Sequence, residues 1–196
     1  LALPFSTLRA VDLDGVELSD RKRRVIAEQP MGTNSKLHLE FGERAWRNDG
    51  ADGDSISDTG LMVTWEGVIT EPGPTGVLVA YSGGALGAGY DVNVAHAEAP
   101  PAVMSARARN LETVFGPATP AAATGRGWLD SWIHDPFVGG SYSDWAVGQY
   151  TELRGAGGTP EGRLHFCGEH TSLKHQGFMN GAVETGERAA AEILGR

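Results

Sequence analysis

The sequence predicts a globular fold to which strands and helices both contribute. Lys36–Phe41 alternates polar and apolar residues, as a half-buried strand does. Leu61–Trp65 and Gly76–Tyr81 are largely apolar and are separated by a Pro-Gly-Pro sequence, which predicts two strands joined by a turn. From Met179 onward, apolar and small residues recur with the period of an amphipathic helix: Ala182, Val183, Gly186, Ala190, Ile193 and Leu194.

The first part of the chain predicts one strand end, one helix and one long loop. Leu1–Pro4 is apolar and closes with proline, which is typical of the end of a buried strand. Ser19 is a suitable N-cap for a helix over Asp20–Glu28, which Pro30 stops. Asn48–Asp58 is acidic and glycine-rich, and it lacks the glutamate that a calcium loop needs at its twelfth position. We therefore expect this segment to be a solvated loop.

The middle of the chain predicts a turn, a helix, a linker and a strand. Gly83–Gly89 lacks the spacing of a phosphate-binding loop and predicts a flexible turn. After two prolines, an amphipathic helix ends at Gly116, and its apolar positions are Val103, Leu111, Val114 and Phe115. Pro120–Gly127 consists mostly of small residues and predicts a linker, and Trp128–Ile133 resembles another strand.

The closing segment carries the strongest functional pattern in the chain. An apolar strand, Leu164–Gly168, leads into a Gly-Glu turn, a polar loop and the helix that begins at Met179. This order places the acid Glu169 near a helix N-terminus. The pair suits a ligand that carries hydroxyl groups and a partial negative charge. On the polar face of the helix, Glu184 and Arg188 have the spacing of an i,i+4 ion pair.

Composition excludes several classes of partner. The chain has 196 residues, a net charge of -9 and 40% hydrophobic residues. The negative charge argues against nucleic acid or an anionic membrane as the main partner. The one cysteine, Cys167, excludes an internal disulfide framework and favours a reducing compartment such as the cytoplasm. The chain begins Leu-Ala-Leu-Pro without an initiator methionine, so we expect a fragment or a processed product.

Four separated features together resemble the flavin-containing amine oxidases, the family of monoamine oxidases, polyamine oxidases and L-amino acid oxidases. They occur in the order and at the spacings of that family, and the resemblance covers essentially the whole chain. The features are Leu1–Pro4, Met31–Lys36, Trp132 with Gly139–Tyr142, and the closing segment.

The resemblance implies a fold and a domain organisation. The expected class is α/β plus α+β, the C-terminal part of a two-domain FAD-dependent oxidase in which a flavin domain is interleaved with a mixed-sheet substrate domain. Residues 1–16 and 136–196 would belong to the flavin domain and residues 17–135 to the substrate domain. In the family, a glycine-rich dinucleotide-binding unit precedes these segments. That unit is absent from this sequence, so a separate N-terminal chain of the same enzyme is an expected partner.

The resemblance also implies three catalytic residues. Lys36 matches the lysine that holds a water near the flavin N5, where an ammonium group would assist reoxidation by dioxygen. Tyr142 and Phe178 match two aromatic rings that flank the substrate amine. Phenylalanine replaces the tyrosine that is common at the second position, which bears on the substrate class.

Five further residues match positions that contact the cofactor in the family. Ser141 stands where covalent monoamine oxidases have cysteine, so the expected FAD is non-covalent. Trp132 matches a tryptophan beside the isoalloxazine ring. Gly168 would let the backbone approach the ligand closely, and Glu169 would bond near the ribityl and pyrophosphate groups. Met179 begins the helix that would face the flavin C2 carbonyl.

The expected activity is FAD-dependent oxidative deamination of a primary or secondary amine, with hydrogen peroxide as a product. Two alternatives remain: an L-amino acid oxidase of the same family, and an inactive fragment that cannot hold FAD alone. A zinc site at His165, Cys167, His170 and His175 is disfavoured, because a second cysteine pair or an H-E-x-x-H helix is missing. No metal is therefore expected.

Overall fold

The computed structural model describes residues 1–90 and 92–195. Within these ranges the helices, in chain order, are α1 Phe5–Leu8, α2 Asp20–Glu28, α3 Gly84–Ala88, α4 Pro101–Phe115, α5 Ala118–Ala121, α6 Gln149–Leu153 and α7 Met179–Ile193. The strands are β1 Ser35–Phe41, β2 Ser55–Ile56, β3 Val63–Glu66, β4 Gly76–Ser82, β5 His96–Glu98 and β6 Ala123–Ser131. Short 3-10 turns lie at Ala45–Asp49, Trp132–His134 and Glu169–Thr171.

The chain divides into two compact units. Unit 1 contains Leu1–Gly32 and the chain from Pro136 onward, and unit 2 contains Thr33–Asp135. The first division therefore follows Gly32, whereas the sequence placed it after Val16. Helix α2 accounts for the difference, because its Val25 and Ile26 join the same buried cluster as Phe5 of α1. The assignment of these units to flavin and substrate remains a prediction.

Unit 2 is built on a sheet whose strand order is β2-β3-β4-β1-β6-β5. Every pairing between the described strands is antiparallel, in contrast to the mixed sheet that the resemblance implied. The strands β2, β3 and β4 are consecutive in the chain and adjacent in the sheet, so each can turn directly back on its neighbour. In the centre, Leu37 of β1 pairs with Ala80 of β4 and Leu129 of β6.

One face of this sheet forms the core of unit 2. Along β1, buried and half-buried residues alternate, which confirms the predicted strand. The buried face carries Leu37, Leu39 and Phe41, and it packs with Leu111 of α4. The Phe41 ring also meets the buried Trp46 ring edge to face, with 5.1 Å between ring centroids.

Unit 1 has its own core around α1, α2 and the extended segment at Phe166. Its buried apolar residues are Phe5, Leu8, Val25, Ile26, Leu153, Ala156 and Phe166. Arg188 of α7 ties this core together, because its guanidinium donates to the carbonyls of Gly158 at 2.8 Å and Phe166 at 2.6 Å. Its carboxylate partner is Glu192 at 2.7 Å, and not the Glu184 that the i,i+4 spacing predicted.

Several elements lie where the sequence predicts them. Helix α2 has the predicted bounds, and its N-cap Ser19 accepts a hydrogen bond from the Lys22 amide at 3.3 Å. The apolar stretches before and after the Pro-Gly-Pro sequence form β3 and β4, which pair with each other. Helix α4 ends at Phe115, immediately before Gly116. Helix α7 begins at the predicted Met179.

The predictions for two segments rich in glycine and other small residues are wrong. Gly83–Gly89 contains helix α3 instead of a flexible turn. At Gly87 a Cβ atom would lie 2.3 Å from the Thr33 carbonyl oxygen, so close packing requires this glycine. Pro120–Gly127 is not a linker, because β6 begins at Ala123. Pairing with β1, a partner distant in sequence, overrides the weak strand preference of the small residues.

The predicted strands at Leu1–Pro4 and Leu164–Gly168 are extended segments that contact each other only briefly. The Leu1 backbone nitrogen donates to the His165 carbonyl at 2.5 Å, and the Cys167 amide donates to the Leu1 carbonyl at 2.9 Å. One residue of pairing is too short to form a strand, which explains the difference. In the described part of the chain, no helix is long and apolar enough to cross a membrane.

Candidate cofactor and substrate residues

Unit 1 contains six of the eight residues that the sequence singled out, and unit 2 contains the other two. Those in unit 1 are Ser141, Tyr142, Gly168, Glu169, Phe178 and Met179. Those in unit 2 are Lys36 and Trp132. The residues of each unit are therefore considered separately.

The N-terminus of α7 is exposed in unit 1. Phe178 is its N-cap residue, and no side chain caps this end of the helix in the described ranges. Phe178 and Met179 are 67% and 87% exposed. The first backbone amides of a helix carry a partial positive charge, so this end of α7 suits an acceptor group of a ligand.

The backbone of Gly168 holds the turn that precedes α7 in the chain against that helix. Its amide donates to the Thr185 hydroxyl at 2.9 Å; the Gly168 carbonyl lies 3.0 Å from that hydroxyl, whose shortest acceptor is the Gly181 carbonyl of α7 at 2.7 Å. The φ angle of Gly168 is 117°, and a Cβ atom there would lie 2.6 Å from the His170 ring. Both the backbone angle and the close approach therefore require glycine.

The segment that carries Ser141 and Tyr142 pairs with the end of the first chain segment of unit 1. The Ser141 amide donates to the Gly32 carbonyl at 2.8 Å, and the Gly32 amide donates to the Tyr142 carbonyl at 2.6 Å. A further bridge joins Met31 and Ser143. These backbone contacts fix the position of Tyr142, which is 37% exposed.

The segments of the two predicted aromatic residues contact each other. A Cβ atom placed on Gly177 would lie 3.5 Å from Cδ2 of Tyr142, so the Tyr142 ring rests beside the backbone that leads into Phe178. Nearby, the Trp145 indole nitrogen donates to the Gln176 side-chain oxygen at 2.6 Å. Unit 1 thus brings Tyr142 and the start of α7 together.

Glu169 joins the same two segments. Its Oε1 accepts from the Ser143 amide at 2.8 Å, and its Oε2 accepts from the Ser143 hydroxyl at 2.8 Å and the Gly177 amide at 2.7 Å. The sequence drew attention to the acid itself. It carried no signal for Ser143 or Gly177, which the fold brings to Glu169.

His170 is buried directly behind this turn. It is 5% exposed, and its ring meets the Phe5 ring edge to face at 4.5 Å. The pKa of His170 is lowered to about 4, chiefly by burial; the Glu169 charge opposes this shift, and the nearby Lys22 charge adds to it. His170 is therefore a neutral part of the unit 1 core at neutral pH. It is not an exposed loop histidine.

In unit 2, Lys36 lies on the open face of the sheet, opposite the core. Its neighbours across β4 and β6 are Tyr81 and Asp130. Its Nζ is 6.0 Å from the centroid of the Trp65 ring. A cavity of about 600 Å³ covers this face and is lined by Lys36, His38, Trp65, Gly67, Val68, Val77, Val79, Trp128 and Asp130. Its size and mostly apolar lining suit a small organic molecule.

Asp130 organises a polar cluster beside Lys36 that the sequence did not reveal. Its carboxylate accepts from His96 Nδ1 at 2.8 Å, from His38 Nε2 at 3.1 Å and from the Trp128 indole at 3.1 Å. Burial alone would raise the pKa of Asp130, but the hydrogen bonds from His96 and His38 hold it below its usual range. His96 and His38 lie on β5 and β1, so the sheet register brings them to Asp130, whereas Trp128 lies two residues before Asp130 on β6.

Trp132 follows β6 in a 3-10 turn and borders this cluster. Its ring meets the His96 ring edge to face, with 4.9 Å between centroids. The histidines considered for zinc have other contacts. His165 and His175 each bond a glutamate of α7, Glu192 and Glu184 respectively. Within residues 1–90 and 92–195, no group of three or more His, Cys, Asp or Glu side chains could hold a metal ion.

Comparison with known proteins decides the family. The model of the family described as flavin containing amine oxidoreductase matches residues 1–194. The chain belongs to this family. The L-glutamate oxidase precursor of Streptomyces viridosporus is 36% identical, and the match covers 98% of this chain and 38% of that protein. The L-amino-acid oxidase of Siganus canaliculatus is 29% identical over 90% of this chain and 33% of its own length.

Solved structures of flavin amine oxidases share the fold. Wild-type putrescine oxidase bound to putrescine matches all of this chain with a TM-score of 0.84 at 20% sequence identity. The match covers 42% of the putrescine oxidase chain. This chain therefore spans about two fifths of the length of the relatives that it matches. The predicted class of flavin oxidase fold is confirmed.

The cofactor of flavin containing amine oxidoreductases is a flavin, and the local structure of unit 1 fits that group. The N-terminus of α7 is exposed and lacks a side-chain cap. The space beside the Gly168 Cα is filled by the His170 ring, so this glycine shapes the turn before the helix and does not itself line a ligand cavity. A helix N-terminus beside a glycine turn can hold the polar edge of a flavin. The residues of this family member are thus compatible with the cofactor that the sequence predicted.

Proposed function

We propose that the enzyme containing this chain oxidises an amino group of a small molecule, with FAD as cofactor and dioxygen as electron acceptor. One observation carries the proposal: Tyr142 lies beside Gly177, at the exposed N-terminus of α7. An aromatic residue, a second aromatic residue at Phe178 and a helix end thus occur together. This combination suits an amine substrate and a ring system that takes up negative charge on reduction.

The expected chemistry is a two-electron oxidation of the carbon–nitrogen bond. When bound, FAD supplies the acceptor for the hydride equivalent and passes the two electrons to dioxygen, which leaves as hydrogen peroxide. The substrate becomes an imine, and water then releases the carbonyl product and the free amine or ammonia. The chain's own residues hold the reactants and exclude side reactions.

Seven of the eight candidate residues, all but Glu169, have a proposed role in this reaction. Tyr142 and Phe178 present ring faces to the amine nitrogen, and Lys36 holds a water where the cofactor is reoxidised. The first amides of α7, at Met179, stabilise negative charge on the reduced cofactor. Trp132 packs beside the ring, Gly168 shapes the turn before α7, and Ser141 leaves the FAD non-covalent.

L-Amino acids are the second, narrower candidate for the substrate. Three relatives whose matches cover at least 90% of this chain carry names that refer to L-glutamate oxidase or L-amino-acid oxidase, one of them provisionally. An L-amino acid oxidase needs a cation for the substrate carboxylate. Phenylalanine at position 178, in place of tyrosine, is compatible with either substrate class.

The test is a peroxide assay on the purified full-length enzyme. Amines, polyamines and L-amino acids would be compared at equal concentration, with D-amino acids as the control for stereochemistry. A yellow protein that forms peroxide with one of these classes supports the proposal and names the substrate. A flavin-loaded enzyme that is inactive with every class would contradict it.

The inactive-fragment alternative has its own experiment. The chain would be expressed alone and together with the N-terminal part of the full-length protein, and bound flavin would be measured by absorbance. Flavin in the second sample alone would support the requirement for a separate dinucleotide-binding unit. Equal flavin in both would show that the present residues hold FAD by themselves.

A further inference from the structure

Glu169 bonds both segments that carry the predicted aromatic pair. Ser143, which follows Tyr142, gives its amide and its hydroxyl to the two carboxylate oxygens at 2.8 Å each. Gly177, which precedes Phe178, gives its amide to Oε2 at 2.7 Å. One carboxylate therefore joins the backbones on either side of Tyr142 and Phe178.

The hydrogen-bonding capacity of Glu169 is largely used within unit 1. An ionised carboxylate offers about four acceptor positions, and three are occupied by Ser143 and Gly177. Hydrogen bonds to a charged acceptor are stronger than those between neutral groups. Glu169 is thus well suited to hold protein segments in place. It has correspondingly little capacity left for the ribityl or pyrophosphate hydroxyls.

We propose that Glu169 is a positioning residue that sets the spacing of Tyr142 and Phe178. We call the three hydrogen bonds of Glu169 to Ser143 and Gly177 the clamp. The clamp rests on contacts within unit 1, whereas the role of the spacing in amine oxidation rests on the proposed function. Through Ser143 and Gly177 the carboxylate holds both segments in one arrangement, in which the Tyr142 ring lies beside the Gly177 backbone.

The two segments differ in their other support. The Tyr142 segment also pairs with Gly32, through the Ser141 and Tyr142 backbones. The Phe178 segment has the bond from the Phe178 amide to the His175 carbonyl at 3.1 Å and the side-chain bond from the Trp145 indole to Gln176 at 2.6 Å. Among the residues that the structure describes, it has no backbone pairing of the kind that Gly32 gives the Tyr142 segment. Loss of the clamp should therefore release the Gly177–Phe178 side more than the Tyr142 side.

The informative variant is Glu169→Gln in the full-length enzyme loaded with FAD. Glutamine has nearly the same size but only one acceptor oxygen, and its NH₂ group would face one of the amide donors. Glu161→Gln is the matched control. Glu161 also accepts from the amide and hydroxyl of one serine, Ser19, at 3.2 and 2.6 Å, and that serine caps α2.

Three quantities would be measured for each variant: amide hydrogen exchange of the peptides with Ser143 and Gly177, bound FAD per chain, and kcat and KM for the best substrate. For Glu169→Gln we expect exchange at Gly177 to rise at least about tenfold, with a smaller rise at Ser143. We expect full FAD content, and a higher KM together with a lower kcat. Glu161→Gln should leave all of these near the wild-type values.

Two results would overturn the proposal. Loss of FAD from Glu169→Gln, with unchanged exchange at Gly177, would assign the carboxylate to the cofactor. Full FAD content with unchanged exchange would show that Glu169 does not hold the two segments together. Ser143→Ala, which deletes only the hydroxyl donor, should change the same quantities less and covers the case in which Glu169→Gln does not fold. Because exchange is read without turnover, a failure of the proposed reaction would be seen separately, as an inactive wild-type enzyme.

Discussion

The ammonium group of Lys22 lies over the ring of Phe166, with 3.8 Å between Nζ and the ring centroid. Nζ also donates to the Gly157 carbonyl at 2.6 Å, and the residue is 1% exposed. A cation at this depth loses most of its hydration, which one hydrogen bond and one ring face replace only in part. Burial accordingly lowers the pKa of Lys22 to about 8.

This lowered pKa predicts a rise of stability in alkali. Between about 8 and the ordinary value of 10.5, the unfolded chain holds the Lys22 proton and the folded chain does not. Raising the pH through this window therefore favours folding, by up to roughly 3 kcal/mol. The free energy of unfolding of the wild type should rise relative to that of Lys22→Met between about pH 8 and pH 10.5. The exposed Lys174→Met should follow the wild type, and parallel curves for the wild type and Lys22→Met would contradict the prediction.

The lowered pKa of His170 predicts a loss of folding stability at acidic pH. Its pKa is lowered by burial from 6.5 to about 4, so the unfolded chain takes up a proton first as the pH falls. Stability should decrease between these two pH values, by up to roughly 3 kcal/mol. Denaturant unfolding at a series of pH values would measure it. His170→Gln should flatten the decrease, whereas His134→Gln should not. A decrease of the same size in both variants would assign it to other groups.

Gly168→Ala should destabilise unit 1 for two separable reasons. The positive φ of 117° disfavours a side chain, and the new Cβ would lie 2.6 Å from the His170 ring. Gly15 is the matched control, because its φ is 82° and a Cβ there meets nothing within 4 Å. Gly15→Ala should lower the free energy of unfolding by about 1 kcal/mol. Gly168→Ala should lower it clearly more, and equal losses would show that the His170 ring moves aside freely.

Lys36→Met should slow reoxidation of the reduced cofactor. The ammonium group would order a water and stabilise negative charge that develops when dioxygen is reduced, so its loss should cost at least about tenfold in that step. Rapid mixing of the reduced enzyme with oxygenated buffer measures the step directly. The control is Lys174→Met, an exposed lysine of the other unit. An unchanged oxidative rate in Lys36→Met would remove the proposed role.

Ser141 predicts that the flavin can be extracted. A serine hydroxyl cannot form the thioether through which covalent members hold FAD, so denaturation with acid should release all flavin into solution. In Ser141→Cys, some flavin should stay with the polypeptide, and Ser141→Ala should behave as the wild type. The measurement is flavin absorbance in the precipitate and supernatant. Flavin that remains on the wild-type chain would contradict the prediction.

Local patterns were enough to predict several elements of the fold. The serine cap and the proline stop delimit α2 without help from the rest of the chain. The alternation of Lys36–Phe41 likewise predicts β1, because a period of two suits only a half-buried strand. The start of β6 was missed, because residues such as Gly127 acquire strand structure only through pairing with β1. In that case tertiary contacts outweigh composition.

The contacts within the candidate site could likewise not be predicted from local sequence patterns. The motifs identified Glu169 and Lys36, but gave no sign of the donors that Glu169 binds or of the cluster around Asp130. His38 and Asp130 are 92 positions apart and meet only through strand register. An ion pair between Glu184 and Arg188 was predicted from spacing alone. In the structure Glu184 bonds His175 and Arg188 bonds Glu192, because the fold brings these partners closer. The roles of the eight candidate residues in catalysis and cofactor binding remain predictions.

The position of strand β1 has a consequence for which substitutions unit 2 can tolerate. It lies inside the sheet, with β4 and β6 on either side, so hydrogen bonds hold its backbone along both edges. Leu37 and Leu39 face the core, while Lys36 and His38 face the open cavity. Substitutions on the open face would therefore leave the core contacts of the strand intact, and we expect them to change the lining of the cavity without unfolding unit 2. Lys36 is constrained separately, by the catalytic role proposed for it.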